Sequence, residues 1–202
     1  MNKIANLKTQ ISKLSFFLRR PPLIVVTGNT RQIVKEAISQ LLKSYFRIEK
    51  EVLILESEED KIKDLAFYLK NSRKSAVVIT QGVREASSLI KTLPAPTNLI
   101  LNFDENICRE IKNTANLNAI TFGFQEGADL RVTDVKFNHE TNFKINYRGN
   151  IVPVWLEGIL EKEQIYDTLA AVSVGTIFNL NLIEISQTLK SSQTLPEKTK
   201  EA

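Results

Sequence analysis

A three-layer α/β fold with a mostly parallel sheet, extended by an antiparallel β-meander and closed by a helix pair, is the architecture this sequence predicts. Three observations predict it. Short apolar runs recur between amphipathic stretches: LIVV (23–26), VLILE (52–56), AVVIT (76–80), NLILNF (98–103) and AITFG (119–123). That is the pattern of parallel strands covered on both faces by helices. The period then drops to two over LRVTDVKF, TNFKINYR and IVPVWLE, as in antiparallel strands with one face covered. Helical spacing returns over 161–178 and again after Asn179, where Leu182, Ile185 and Leu189 share a face.

The elements follow in order. Residues 2–20 carry Ile4, Leu7, Ile11, Leu14 and Leu18 at helical spacing, with lysines and arginines over much of the other face. The simplest reading packs this stripe on the following domain. A second reading, which uses Phe16, Phe17, Arg19 and Arg20, lays the helix on an anionic membrane surface. Pro21-Pro22 ends it, because proline lacks the N–H and forces its predecessor extended. Helices are predicted over 31–46, over 58–70 with Ile62, Leu65, Ala66 and Leu69 inward, over 83–93 and over Glu105–Lys112. Turn residues at Asn138–Asn142 and Arg148-Gly149-Asn150 separate the meander strands. The domain reading is a basic helix over 1–20, an α/β domain over 21–190 and a flexible polar tail over 191–202.

Composition narrows the function. A chain of 202 residues with 43% hydrophobic and 25% charged residues is an ordinary globular domain. The charge of +4 comes from dispersed basic residues without a stripe of interleaved aromatics, so nucleic acid is not expected as a partner. The single Cys108 rules out a disulfide within the chain, and with one histidine, His139, a Cys/His zinc site is not expected. No run reaches the roughly 18 apolar residues of a membrane span, and lysines interrupt the N-terminus where a signal peptide would be apolar. A cytoplasmic protein is predicted. Cys108 reads as structural, His139 as a solvated turn residue and Trp155 as a core residue with a partner for its indole N–H.

The candidate functional stretch is Thr27-Gly28-Asn29-Thr30-Arg31-Gln32, between the LIVV strand and the 31–46 helix. A strand, a glycine turn and a helix N-terminus in succession aim backbone N–H groups and a helix dipole at a bound phosphate. A working phosphate loop also uses a second glycine, a lysine for the β- and γ-phosphates and a hydroxyl for magnesium. Here Arg31, Gln32 and Ile33 stand in those places. Arg31 keeps the capacity to meet a phosphate, since guanidinium groups bind phosphates well.

Four stretches taken together resemble the central, ATP-binding domain of the Mur ligases, a P-loop NTPase-like fold, most closely the member that adds D-alanyl-D-alanine. VTGNTRQIVKEAI resembles the strand, phosphate loop and helix, and LILNFDE (99–105) an Asn-x-Asp-Asp strand end. AITFGFQEGADLRVTDVKF (119–137) resembles the Gly-Ala-Asp entry to the meander, and QIYDTLAAVSVGTIFNLNLIEISQTL (164–189) the closing helix pair. The resemblance covers roughly residues 20–190. It implies an ATP-dependent amide ligase of cell-wall synthesis, which phosphorylates a carboxylate that an amine then attacks. It also implies a nucleotide site at residues 27–32 with Asn102 and Asp104 at a strand end, and a magnesium ligand at Glu56.

The chain departs from that pattern where the chemistry would lie. Gly-Lys-Thr is replaced in the loop, and the adenine-contacting His-Asn reads Glu163-Gln164. Ala86 and Ser88 stand near the place of a modified lysine, with Lys91 better read as a solvated helix residue. A segment between Phe46 and Val52 is shortened. Asp104 reads equally well as the cap of the 105–112 helix. The flanking domains of the family have no counterpart in a 20-residue helix and a short tail. The expectation is therefore a non-catalytic binding or regulatory protein with cell-wall synthesis partners, no catalytic residues and weak or no nucleotide binding. Mg-ATP is expected only if the vestigial site works. The alternative is a nucleotide-dependent ligase component with an altered loop, completed by another chain.

Overall fold

The computed structural model describes residues 13–81, 90–114 and 117–191. Helix α1 (Lys13–Arg19) leads into β1 (Leu23–Thr27) and α2 (Arg31–Leu42). Strand β2 (Leu53–Glu56) is followed by a 3-10 helix (Glu59–Leu65) that continues as α3 (Ala66–Asn71), then by β3 (Ser75–Ile79). Strand β4 (Asn98–Asn102), helix α4 (Asn106–Thr114) and strand β5 (Asn118–Gly123) come next. The meander is β6 (Leu130–Phe137), β7 (Glu140–Tyr147) and β8 (Asn150–Glu157), and helices α5 (Lys162–Ile177) and α6 (Leu182–Ser191) close the fold. Most of the helix read over 83–93, with Ala86 and Ser88, lies outside the described residues, as do residues 1–12 and 192–202.

The eight strands form one sheet in the order β2-β1-β3-β4-β5-β6-β7-β8. Pairing is parallel from β2 to β6, and β6, β7 and β8 are antiparallel. The change of period in the sequence thus marks the change from parallel to antiparallel pairing. Arg148 and Gly149, joining β7 to β8, both have positive φ, as a tight turn matching the strand twist requires.

Successive residues of each central strand enter opposite layers. Ile24, Val26, Val78 and Ile100 pack under α2 and α5, in one cluster with the inner meander residues Val132, Phe143, Ile145 and Val154. Leu23, Val25, Val77, Leu99 and Leu101 pack on the other side with Phe16, Tyr68, Cys108 and Ile111. Helix α5 is buried on nearly every side, which fits its run of Ala, Val and Leu. Gly175 lets α6 cross it closely: a Cβ there would lie 2.7 Å from Ile185 Cδ1.

The structure corrects several expectations. The predicted 58–70 helix begins as a 3-10 helix, because the two buried residues Ile62 and Leu65 are three apart and a three-residue turn stacks them on one line. Helix α2 stops at Leu42 rather than 46. The Leu14/Leu18 stripe does not pack on the domain. Phe16 does, fully buried and edge-on to Tyr68 at 4.8 Å, and Leu14 and Leu18 are 69% and 74% exposed. Trp155 is not core: it lies on the outward register of edge strand β8, with the Lys190 ammonium over its ring. His139 is exposed in the β6–β7 turn, as expected. Cys108 is buried, and burial pushes its thiol up to about 12, consistent with a structural role.

Candidate functional site

The loop after β1 is three residues long, Gly28 to Thr30. Thr27 is fully buried, and its carbonyl accepts the N–H of Thr80 at 2.9 Å and the Thr80 hydroxyl at 3.0 Å. This draws the end of β3 against the loop. Gly28 has φ +106°, and a Cβ on it would lie 2.3 Å from Thr80 Oγ1 and 2.9 Å from the Gln81 carbonyl. Only glycine meets both demands. The Asn29 N–H, a natural phosphate donor, instead bonds the Gln81 carbonyl at 2.9 Å. Arg31 turns back on its own loop, Nη1 donating to the Gly28 carbonyl at 3.2 Å. Its charge also helps hold the nearby Glu58 carboxyl below the usual range, though the hydrogen bond from Lys61 contributes most. Gln32 points along its helix toward Glu36. Thr30 is the N-cap residue of α2, without a capping bond from its hydroxyl.

A small cleft opens beside this loop, above the carboxyl ends of the parallel strands, where α/β sheets commonly hold ligands. Thr30, Thr80, Gln81, Asn102, Tyr166 and Asp167 line it. The space between them admits little more than a water molecule. Of the sequence-predicted residues, Thr30 and Asn102 meet here, while Gly28 and Asn29 brace its wall through Thr80 and Gln81. Arg31, Gln32, Asp104 and Glu56 are not among its lining residues. Glu56 ends β2 beside Val26. Among the described residues, no group of three or more His, Cys, Asp or Glu side chains converges on a common point as a metal ion requires.

Asp104 is not the helix cap the sequence suggested. Its carboxylate accepts the N–H groups of Phe124 (2.9 Å) and Gln125 (2.9 Å) and the hydroxyl of Tyr166 (2.6 Å). It thereby joins the end of β4 to the turn after β5 and to the first turns of α5. Burial, and then Asp104, push the Tyr166 phenol far upward, so it stays protonated and donates. Gly123 is the counterpart of this joint, since a Cβ there would sit 2.6 Å from Asp104 Oδ1. Asn102 Oδ1 accepts the Asp104 N–H at 3.0 Å and sets the bend. Asp129 makes a second joint with the N–H and hydroxyl of Thr121 (2.8 and 2.7 Å) and with Lys112 Nζ (3.0 Å). Burial pushes the Asp129 carboxyl up, but the Thr121 and Lys112 bonds outweigh it and lower it overall.

Comparison of this architecture with known proteins gives a consistent result. The MurF ligase of Thermotoga maritima, solved in complex with ADP, superposes with a TM-score of 0.70 at 16% identity, over 96% of this chain and 53% of that one. The fold is that of the Mur ligases. MurF of Acinetobacter baumannii superposes with a TM-score of 0.68 at 14% identity, over 90% of this chain and 47% of its own. A pseudomurein peptide ligase type C from Methanothermus fervidus gives 0.61 at 16% identity, over 96% and 56%. Among curated proteins, the UDP-N-acetylmuramate–L-alanine ligase of a Hydrogenobaculum species is 27% identical over 116 residues, 55% of this chain and 25% of that ligase. The chain therefore spans a quarter of the curated relative and about half of the solved structures. No family model matches the sequence.

Within the Mur ligase-like fold the resembling motifs have identifiable structural work. Asp104 and Gly123 belong to one joint and Asp129 to the other. Gln164, in place of an adenine-contacting residue, closes a capping box: its side-chain oxygen takes the Glu161 N–H at 2.9 Å while the Glu161 side chain caps in return. Sequence reasoning missed Tyr166, Asp167, Thr80 and Gln81 as cleft residues. The E-x-x-Q before an apolar run was a readable signal for the capping box. Nothing local announces that Tyr166 meets Asp104, which is 62 residues away.

Proposed function

We propose that this Mur ligase-like domain is a non-catalytic binding or regulatory component of cytoplasmic cell-wall peptide assembly, rather than a working ATP-dependent ligase. The closure of the loop after β1 on itself carries the reading. A triphosphate needs inward-facing N–H groups and an available cation. Here the Asn29 N–H is bonded to Gln81 and Arg31 is bonded to Gly28. The adjoining cleft admits little more than a water molecule, too little for a triphosphate. Mg-ATP does not fit the residues as they are arranged. Asp104, Gly123 and Asp129, each within a motif that carries the resemblance, hold β4, β5, β6 and α5 together, which supports a framework that stands independently of ligase chemistry.

Calorimetric titration with ATP and ADP, with and without magnesium, tests the proposal. Dissociation constants weaker than about 1 mM are expected, a binding free energy under about 4 kcal/mol. Binding tighter than about 100 µM that Arg31→Ala abolishes would overturn it, and would favour a nucleotide-dependent ligase component with an altered loop.

A further inference from the structure

We propose that the exposed apolar face of α1 docks the domain onto an anionic phospholipid membrane. Among the described residues, α1 is anchored to the domain by the buried Phe16 against Tyr68, with Lys13 over the Phe67 ring beside it. Leu14, Phe17 and Leu18, at i, i+3 and i+4, share a face, and Phe16 lies on the opposite side. Burying Phe16 therefore turns the other three outward, with Leu14 69%, Phe17 40% and Leu18 74% exposed. The same spacing runs back in the sequence through Ile11, Leu7 and Ile4. Other large apolar residues are exposed elsewhere, such as Ile151 and Ile159, but Leu14, Phe17 and Leu18 stand together on one turn of helix with cations and no carboxylate in their own segment.

Charge selects the occupant. Lys3, Lys8, Lys13, Arg19 and Arg20 lie in the first 20 residues, and the first acidic residue of the chain is Glu36. These five cations exceed the net charge of the whole protein, +4, so the positive excess resides in this segment. Arg20, just past the helix, stacks on Phe17 of the apolar face, 4.8 Å from the ring centroid, and Arg19 reaches the Lys50 carbonyl. Leucine and phenylalanine flanked by cations, without carboxylates, match the acyl–headgroup boundary of an anionic leaflet. Of the acidic residues next to Lys50 in the chain, Glu51 is paired with Arg47.

The test is co-sedimentation of the full chain with vesicles of equal parts phosphatidylglycerol and phosphatidylcholine, against vesicles of phosphatidylcholine alone. Binding to the anionic vesicles is expected, falling about tenfold or more on neutral vesicles or at high salt. Leu14→Glu with Leu18→Glu should lower it by at least about tenfold while leaving the thermal midpoint unchanged, since both side chains face solvent. Leu14→Ser with Leu18→Ser gives the same comparison without added charge. Absence of binding by the wild type, or equal binding by both double variants, overturns the proposal. So does a wild-type dimer in light scattering that the double variants dissolve, because a second copy would then be the occupant.

Discussion

Replacing Asp104 by alanine tests whether the resembling motifs work as structural joints. The substitution leaves three donors without an acceptor: the Phe124 and Gln125 N–H groups and the Tyr166 hydroxyl. Gln125 is exposed, and water replaces the lost partner at little cost. Tyr166 is 8% exposed, so its hydroxyl bears about 1–3 kcal/mol of desolvation when unpaired. The half-buried Phe124 N–H adds about 1 kcal/mol. The expected loss is therefore about 2–4 kcal/mol, a fall in the thermal midpoint of roughly 5–15 °C for a chain of this size. Tyr166→Phe removes the hydroxyl along with its need for a partner and should cost only about 1 kcal/mol.

Differential scanning calorimetry of the two single variants and the double variant reads both quantities. Because Asp104 and Tyr166 share a bond, the double variant should lose less than the sum of the singles, with a coupling of about 1–2 kcal/mol. An Asp104→Ala midpoint within about 2 °C of wild type, or strictly additive losses, would refute the joint and reopen Asp104 as a residue kept for a ligand.

Two further outcomes follow from the loop and from the second joint. Gly28→Ala should destabilise the protein by about 2–4 kcal/mol in chemical denaturation, because the new methyl meets Thr80 Oγ1 and the Gln81 carbonyl at a φ alanine does not tolerate. A neutral result would mean that the β1–α2 loop is looser than its contacts indicate. Asp129 supplies an acid-dependent term: its carboxyl is lower in the folded protein than in the unfolded chain, so the unfolded state binds more protons in acid and stability rises with pH there. Its contribution is complete above the ordinary aspartate value of about 4 and is lost as pH falls through the lower folded value. Asp129→Asn should flatten the denaturation midpoint below pH about 4, and an unchanged acid limb would exclude this origin.

How much of this was legible in the sequence depends on the range of the interaction. Strand identity was legible because each apolar run is local, and so was the change to period two at Leu130. Trp155 was legible too, had the alternation been followed through: Val152, Val154 and Leu156 take the inward register of β8, which leaves Ile151, Pro153 and Trp155 outward. A proline within that outward set is itself a mark of an edge strand. The facing of α1 was not legible. Periodicity says that Leu14 and Leu18 share a face but not which face a partner covers, and Phe16 decided that through Tyr68, far along the chain. The site divides in the same way. Gly28 announced a turn, yet the consumption of Asn29 by Gln81 and the folding back of Arg31 depend on where β3 ends relative to β1.

The distinction bears on how a Mur ligase fold can be recognised in a chain whose loop leads into Arg31-Gln32-Ile33. The aspartates and glycine that support the resemblance hold together elements distant in sequence, and their loss would cost folding free energy whatever the protein does. Loop side chains that bond only locally, such as Arg31 and Gln32, carry no such penalty, unlike Gly28, which is held by close backbone approach. Arg31 and Gln32 make these side-chain bonds within their own loop and helix, so a change at either breaks no bond to the sheet. A motif that joins elements therefore reports the fold, and a motif that faces a ligand reports the chemistry. In this chain the first kind is intact at Asp104, Gly123 and Asp129. Residues 31–33 belong to the second kind, and nucleotide titration and the Asp104 cycle examine the two independently.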